Sequence, residues 1–282
     1  MSNSGTPMPK ATFRECDFHT HTELCGEGQA KGFTIRKLFE TADELGLRYV
    51  GYSEHWHKST PRDLFLRIRD EVEKLQPQFR VKVWVSAEID VLNSRGDMAC
   101  DPDDAASILD YVSVAISHYG HGDIKPLRPD LVEDTVEMVR AVCRVPAVTM
   151  LMHPQIVYGQ CMKFIDRVVT PDIYDECMRE IVTHNKVVDF ASVRMSMDYL
   201  HDLKFGPDKV AIAEQSFENY AAALVRHQVR LAPGTDAHHV FYHDTGRRWF
   251  GNNDSSLPLL TSHGYTDAQL WYGQDLRSPQ KA

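Results

Sequence analysis

Histidines and acids recur in short motifs along the whole chain. The motifs are Asp-Phe-His-Thr-His at 17–21, Ser-Glu-His at 53–55, Ala-Glu at 87–88, Ser-His at 117–118, His-Pro at 153–154 and Gly-Thr-Asp-Ala-His at 234–238. Neutral imidazoles and carboxylates are the ligands that bind Zn²⁺, Mn²⁺ and Fe²⁺ in proteins. If they were buried together without cations, such groups would strongly destabilise the fold. The pattern therefore predicts a site for more than one divalent metal ion.

Each motif alone has an ordinary structural explanation. His19 and His21 would face the same side of any strand, a Ser-His or His-Pro pair is often structural, and Glu88 alone would be a solvated edge residue. The joint pattern is more specific, because these explanations would have to hold independently at each equivalent position.

The elements that would position these residues alternate between strand and helix. Stretches typical of strands lie at 11–18, 48–52, 81–85, 111–116, 147–152, 187–191 and 229–232. Segments with helical spacing separate them, such as Ile35, Leu38, Phe39, Ala42 and Leu45. This alternation predicts parallel βαβ units in an α/β barrel. Every strand but the sixth runs into a His, Glu or Asp, and such strand ends meet on the active-site face of a barrel.

The domain organisation is predicted to be simple. One domain spans residues 11–282, after a disordered segment at 1–10, and residues 244–282 form an extension packed on the barrel. Within this extension, residues 257–260 and 266–271 are interpreted as two short helices.

Composition and charge exclude several classes of protein. The 282 residues carry 31 Lys and Arg against 40 Asp and Glu, a net charge of −9 that disfavours nucleic-acid binding but leaves room for a local cationic anion site. No apolar run approaches the roughly 20 residues of a membrane span. Six cysteines without a CxxC pair, and no secretory signal, favour reduced thiols and a cytoplasmic location.

In order and spacing, the six motifs resemble those of the polymerase and histidinol phosphatase (PHP) family of metal-dependent phosphoesterases, over about residues 13–240. The length is similar to that of histidinol-phosphatase-type members. The resemblance implies a distorted (β/α)7 TIM-like barrel with two or three divalent metal ions per chain (Zn, Mn or Fe).

The resemblance also implies the ligands. One ion would be held by His19, His21, Glu88 and Asp236, a second by Glu88, His118 and His153, and a third by His55, His238 and Glu27. Many relatives have Cys-Gly-His where this chain has Cys25-Gly26-Glu27, so Glu27 is the predicted third ligand and Glu23 its alternative. An oxygen there would shift metal preference toward Mn or Fe.

Other roles follow from the same resemblance. Glu88, Asp236 and His238 are the predicted catalytic residues. Arg194 would bind phosphate, with Arg247 and Arg248 either a second clamp or a solvated loop pair. Glu54 and Asp17 would orient the rings of His55 and His19, or form salt bridges at the barrel rim. The residues predicted to be able to protonate the leaving group are His57, His121, His239 and His243.

The predicted function is hydrolysis of a small organic phosphate, with histidinol phosphate as a candidate substrate, by a water that two metal ions share and activate. No GxSxG elbow or Gly-rich phosphate loop suggests another mechanism. The alternatives are a phosphodiesterase acting on cyclic phosphates or nucleotide ends, a metallohydrolase acting on a bond without phosphorus, and a non-catalytic metal-sensing protein.

Overall fold

Seven parallel strands form one sheet in chain order. The computed structural model describes residues 8–116, 118–119, 124–156, 165–191, 205–242, 246–254 and 256–276. The strands are β1 (Cys16–Thr20), β2 (Tyr49–Trp56), β3 (Lys82–Asp90), β4 (Val112–Ala115), β5 (Val148–Met152), β6 (Val187–Ala191) and β7 (Arg230–Gly234). A bridge joins Thr20, the last residue of β1, to Ala237 beyond the end of β7, and His21 N donates to Ala237 O at 2.8 Å. The sheet is thereby a nearly closed barrel.

Seven α-helices accompany the strands in the described part of the chain. They are α1 (Ile35–Glu44), α2 (Arg62–Leu75), α3 (Pro102–Ile108), α4 (Leu131–Cys143), α5 (Pro171–Thr183), α6 (Pro207–Arg226) and α7 (Leu257–Ser262). The first six each connect one strand to the next. The predicted α/β TIM-like barrel in a single domain is confirmed.

Local sequence explains how such a helix is delimited. At the start of α1, Thr34 Oγ1 accepts a hydrogen bond from Lys37 N at 3.1 Å, which caps the helix. Gly46 has a φ of 72°, and Leu47 N donates to Ala42 O at 2.9 Å, a turn that ends the helix. Between these ends, the buried side chains of Ile35, Leu38, Phe39 and Ala42 pack α1 on the barrel. The turn at Gly46 then leads into β2.

The register between neighbouring strands determines which side chains lie next to each other at the two ends of the barrel. On β2 and β3, Tyr49 pairs with Lys82 at the first residues and His55 pairs with Glu88 near the last. Helices cover the outer face of a parallel barrel, so both strands are buried almost throughout. The register therefore places His55 and Glu88 side by side at the carboxyl end.

The chain after α7 differs from the prediction, because residues 266–271 form no helix. Leu231 N donates to Gln269 O and Trp271 N donates to Leu231 O, both at 2.8 Å, so this segment runs beside β7. A six-residue helix gains few hydrogen bonds for its nucleation cost, whereas this pairing satisfies strand groups that are already ordered. Trp271 is fully buried, with its ring against Phe18 and Tyr111.

Candidate metal centre

The predicted metal ligands meet at the carboxyl end of the barrel. Three groups have their nitrogen and oxygen atoms close enough to hold a metal ion: His19, His21, Glu88 and Asp236; Glu88, His118 and His153; and His21, His55 and His238. We call the first two the inner groups. We call His55, His238 and Glu27 the outer group, because Glu27 lies next to both histidines. The structure thus brings together all nine residues predicted as ligands.

The first inner group has the spacing of a coordination sphere. Asp236 Oδ1 lies 3.4 Å from His19 Nε2 and 3.2 Å from His21 Nε2. Glu88 Oε2 lies 3.5 and 3.4 Å from the same two nitrogens. Ligand atoms at about 2.0 Å from a tetrahedral metal ion are separated by roughly 3.3 Å. These distances therefore fit atoms that share one ion better than atoms that bond to each other.

Glu88 belongs to both inner groups through different oxygens. Its Oε1 lies 3.2 Å from His118 Nε2 and 2.6 Å from His153 Nε2, while Oε2 faces His19 and His21. A carboxylate can give one oxygen to each of two cations, which an imidazole cannot do. This geometry matches the bridging role predicted for Glu88.

The outer group is more open to solvent. The Nε2 atoms of His55 and His238 are 3.4 Å apart, and the two oxygens of Glu27 lie 3.6 and 3.4 Å from them. The side chain of Glu27 is 44% exposed. Glu23, the alternative ligand, instead accepts a hydrogen bond from Gly32 N. The structure therefore favours Glu27 as the third ligand.

Four of the imidazoles are anchored through Nδ1. His153 Nδ1 donates to Ile116 O at 2.9 Å, and His238 Nδ1 donates to Asp236 O at 3.1 Å. The other two anchors are carboxylates, with Asp189 on His19 at 2.7 Å and Asp90 on His118 at 3.1 Å. A proton held on Nδ1 leaves the lone pair on Nε2, which points into the centre.

Asp189 is not among the predicted site residues; the sixth strand is expected only to carry no metal ligand. Asp189 is fully buried on β6, and its Oδ2 accepts from His19 Nδ1. A Cβ at Gly234 would come within 2.0 Å of Asp189 Oδ1 and 2.8 Å of His19 Cβ. Glycine on β7 thus leaves room for this contact. An acid within an otherwise apolar strand, Val-Val-Asp-Phe-Ala at 187–191, was the signal available.

The two carboxylates predicted to orient these rings contact other atoms, so both predictions are wrong. Asp17 accepts from Thr235 N, Thr235 Oγ1 and Gly251 N, and so connects β1 to the end of β7. Glu54 accepts from the backbone N–H of His55 and lies 3.7 Å from His21 Nδ1. Glu54 and His55 are adjacent on β2 and therefore face opposite sides of the strand. Asp17 faces the same side as His19, but its oxygens are taken by Thr235 and Gly251.

The electrostatics of the centre require positive charge. Within ion-pair distance, Glu88 faces five histidines and, in the part of the chain described, no Lys or Arg. Burial disfavours charge on His118, yet Glu88 and Asp90 raise its pKa to about 9. Burial and the nearby His21 lower the pKa of His238 to about 3. The histidines therefore cannot all be protonated to balance the acids. Divalent cations would balance the carboxylates and accept the free lone pairs of the imidazole nitrogens.

Buried atoms without partners point to the same conclusion. His19 Nε2, both ring nitrogens of His21 and Glu88 Oε2 are buried, and no described residue gives them a hydrogen bond. Such atoms destabilise a fold unless something binds them. Two ligands also have left-handed backbone, His153 with φ 38° and Asp236 with φ 53°, and such strain concentrates at functional sites. The residues present therefore fit bound metal ions.

The arginines predicted to bind substrate are less well placed. Arg194 lies outside the described residues. Arg247 stacks its guanidinium on Tyr242, whose ring stacks on Trp249, and Trp249 lies 5.5 Å from the ring of His238. Arg248 is exposed on the same hairpin. Arg247 is thus separated from the outer group by two aromatic rings.

One predicted proton donor stands out by its contacts. His57 Nδ1 lies 2.6 Å from Asp90 Oδ2, its ring stacks on His55, and its side chain is 44% exposed. Asp90 thereby contacts His57 and His118 through its two oxygens. His239 packs against Phe33, and His121 and His243 lie outside the described residues.

Fold and site together define a class, the single-domain TIM-like barrel with a cluster of His, Glu and Asp at the carboxyl ends of its strands. The chain is similar in structure to histidinol phosphate phosphatase from Lactococcus lactis subsp. lactis Il1403, solved with zinc, L-histidinol and phosphate. The TM-score is 0.60 at 15% identity, covering 94% of this chain and 100% of that one. The predicted resemblance to the PHP family is confirmed at the level of the fold and of the ligand groups.

Other comparisons are looser. An archaeal ribonuclease P with mature tRNA matches with a TM-score of 0.46 at 11% identity, over 89% of both chains. A Xaa-Pro dipeptidase with bound methionine matches with a TM-score of 0.47 at 10% identity, over 89% of this chain and 70% of that one. These alignments are too loose to bear on function. The sequence matches no protein-family model and no curated protein.

Proposed function

We propose that the protein is a metal-dependent phosphomonoesterase that hydrolyses a small organic phosphate. The observation that carries the proposal is the Glu88 bridge, with one oxygen in each inner group and five histidines around it. Two cations held this closely supply an activated water and neutralise phosphoryl oxygens. Histidinol phosphate is the first candidate substrate, since the phosphatase with the similar fold was solved with histidinol and phosphate.

The protein's own residues have distinct tasks in this proposal. His19, His21, Glu88 and Asp236 bind one ion, Glu88, His118 and His153 bind a second, and His55, His238 and Glu27 bind a third. Asp189 and Asp90 hold His19 and His118 with Nε2 toward the centre. Arg194 remains the residue proposed to hold phosphate oxygens. Arg247 and Arg248 would form a second clamp from the far side of the Tyr242 and Trp249 rings.

His57 is the residue proposed to protonate the departing oxygen. Asp90 holds its Nδ1, which leaves Nε2 on the exposed side of a ring stacked over His55. A proton donated by Nε2 to the leaving oxygen would let the product depart as a neutral alcohol. No nucleophilic side chain is required, because water is the attacking group in a metal-assisted hydrolysis.

The direct test is a phosphate-release assay with protein loaded with Zn²⁺, Mn²⁺ or Fe²⁺. The panel contains histidinol phosphate, other alkyl phosphates, an aryl phosphate, an aryl phosphodiester and a cyclic nucleotide. We expect turnover of monoesters that is lost in Asp236→Asn. The matched control is Asp175→Asn, at a partly buried acid on α5 that contacts Arg226 and His227 away from the centre. Preferential turnover of diesters would favour the phosphodiesterase alternative. Fully loaded protein that releases no phosphate from any ester would refute the proposal.

A further inference from the structure

A second cavity lies at the amino end of the barrel. Its volume is about 530 Å³, and its walls include Tyr49 and Lys82, the paired first residues of β2 and β3. His55 and Glu88 follow six residues later on the same strands. At roughly 3.3 Å per residue, this places the cavity about 20 Å from the metal centre. The two sites are therefore separate.

The floor of the cavity is apolar and ordered. Leu47, Tyr49 and Trp84 all line it and are buried. Tyr49 Oη donates to Pro9 O at 2.9 Å, and the Arg48 guanidinium donates to Lys10 O, so the segment before β1 is tied across one side. The faces of both rings are already covered, Tyr49 by Arg48 and Tyr272, and Trp84 by Lys82, so the floor is a closed apolar base.

The rim of the cavity is cationic in a protein whose net charge is negative. Arg48, Arg80 and Lys82 line it, together with a single acid, Asp43. Arg48 has Glu15 at 3.7 Å, and Arg80 has Asp43 at 3.6 Å. Of the three cations that line the cavity, only Lys82 has no acid within ion-pair distance among the described residues.

Lys82 has no acceptor of its own in the described part of the chain. Its Nζ lies 4.4 Å from the centre of the Trp84 ring, and no described residue gives it a hydrogen bond or an ion pair. Burial lowers the pKa of this amine. Residues 1–7, which precede the cavity wall at Met8, contain no acid that could neutralise it. An ammonium group so placed is stabilised by an anion that enters the cavity.

We propose that this cavity binds a small organic phosphate, with its phosphate group on Lys82. The cavity volume falls in the range of small-molecule sites. Lys82 supplies the cationic group that a phosphate requires, since Arg48 and Arg80 already face acids. This site is independent of the phosphatase proposal.

The test uses calorimetric titration of the holoenzyme with the non-hydrolysable phosphonate analogue of adenosine 5′-monophosphate. We expect saturable binding that weakens at least about tenfold in Lys82→Gln. Lys37→Gln, at an exposed lysine on α1, is the matched control and should bind as the wild type does. Adenosine, which lacks the anionic group, should also bind at least about tenfold more weakly than the analogue.

Two variants separate this cavity from the metal centre. Asp236→Asn, which alters the metal centre, should retain the binding that Lys82→Gln loses, and Lys82→Gln should retain wild-type phosphate release. Equal affinities of Lys82→Gln and wild type, or no saturation up to about 5 mM, would overturn the proposal.

Discussion

The inner and outer groups of the metal centre are built differently. Inner-group side chains are at most 7% exposed. In the outer group His238 is 2%, His55 12% and Glu27 44% exposed, so the difference lies mainly in Glu27. The inner ligands lie at or just beyond strand ends, and Glu27 follows a turn at Gly26, whose φ is 76°. One face of the barrel therefore combines buried ligands at strand ends with a more exposed ligand, Glu27, on a loop.

Physical chemistry connects this difference to metal binding. Buried ligands that are already oriented lose little entropy on binding and compete little with water. A carboxylate on a loop loses more entropy and is better hydrated. We therefore expect the inner ions to bind more tightly and exchange more slowly than the outer ion, which makes the outer group the place where metal identity varies.

The largest expected effect is that of Glu88→Ala. Removing the shared ligand leaves both inner groups incomplete, so we expect loss of the inner ions and a fall of about 10³-fold or more in kcat/KM. Elemental analysis and phosphate release measure the two effects together. Retention of all ions in this variant would show that the inner groups do not depend on a bridge.

His57→Asn tests a residue whose ring stacks on His55 of the outer group but which is not one of the proposed ligands. We expect an approximately 10²-fold loss of kcat on an alkyl phosphate, because its leaving oxygen needs a proton. An aryl phosphate, whose leaving group is a weaker base, should lose much less. Metal content should stay at the wild-type level. An equal loss on both substrates would contradict the proposed proton transfer.

Asp189→Asn tests how strongly the inner groups depend on orientation. An amide accepts from His19 Nδ1 less well than a carboxylate, so we expect inner-ion affinity to fall about 10- to 100-fold. Competition with a fluorescent chelator gives the affinity, and Asp175→Asn is the control. At saturating metal the melting temperature should approach that of the wild type. A variant that stays destabilised at saturating metal would instead indicate a purely structural role.

Substitutions of Glu27 should have the smallest effects on metal content and on kcat/KM. These effects should be limited to the ion of the outer group. Glu27→Gln should lose one ion per chain and about tenfold in kcat/KM, because a neutral amide is a weaker ligand. Glu27→His, which places an imidazole at this position, should retain that ion and favour Zn²⁺ over Mn²⁺. Metal-competition measurements provide the check. Loss of the inner ions in either variant would show that the two parts are not independent.

Particular residues show how far the sequence could predict this site. His55 and Glu88 were predictable because strand alternation and strand ends are local properties, and parallel strands bring such ends together. Asp189 was not, because its role depends on a contact across the barrel that needs glycine at 234. Likewise, residues 266–271 have helical spacing, yet pairing beside Leu231 outweighed it.

By itself, the sequence determined the alternation of strands and helices, the barrel, and which side chains end each strand, since hydrophobic periodicity and residue type are encoded locally. Only the tertiary structure decided which acid holds which imidazole, that Glu27 reaches both outer histidines, and that a cationic cavity forms at the opposite end. These features depend on distances between strands and loops remote in the chain. Packing sets such distances, and a one-dimensional pattern does not contain them.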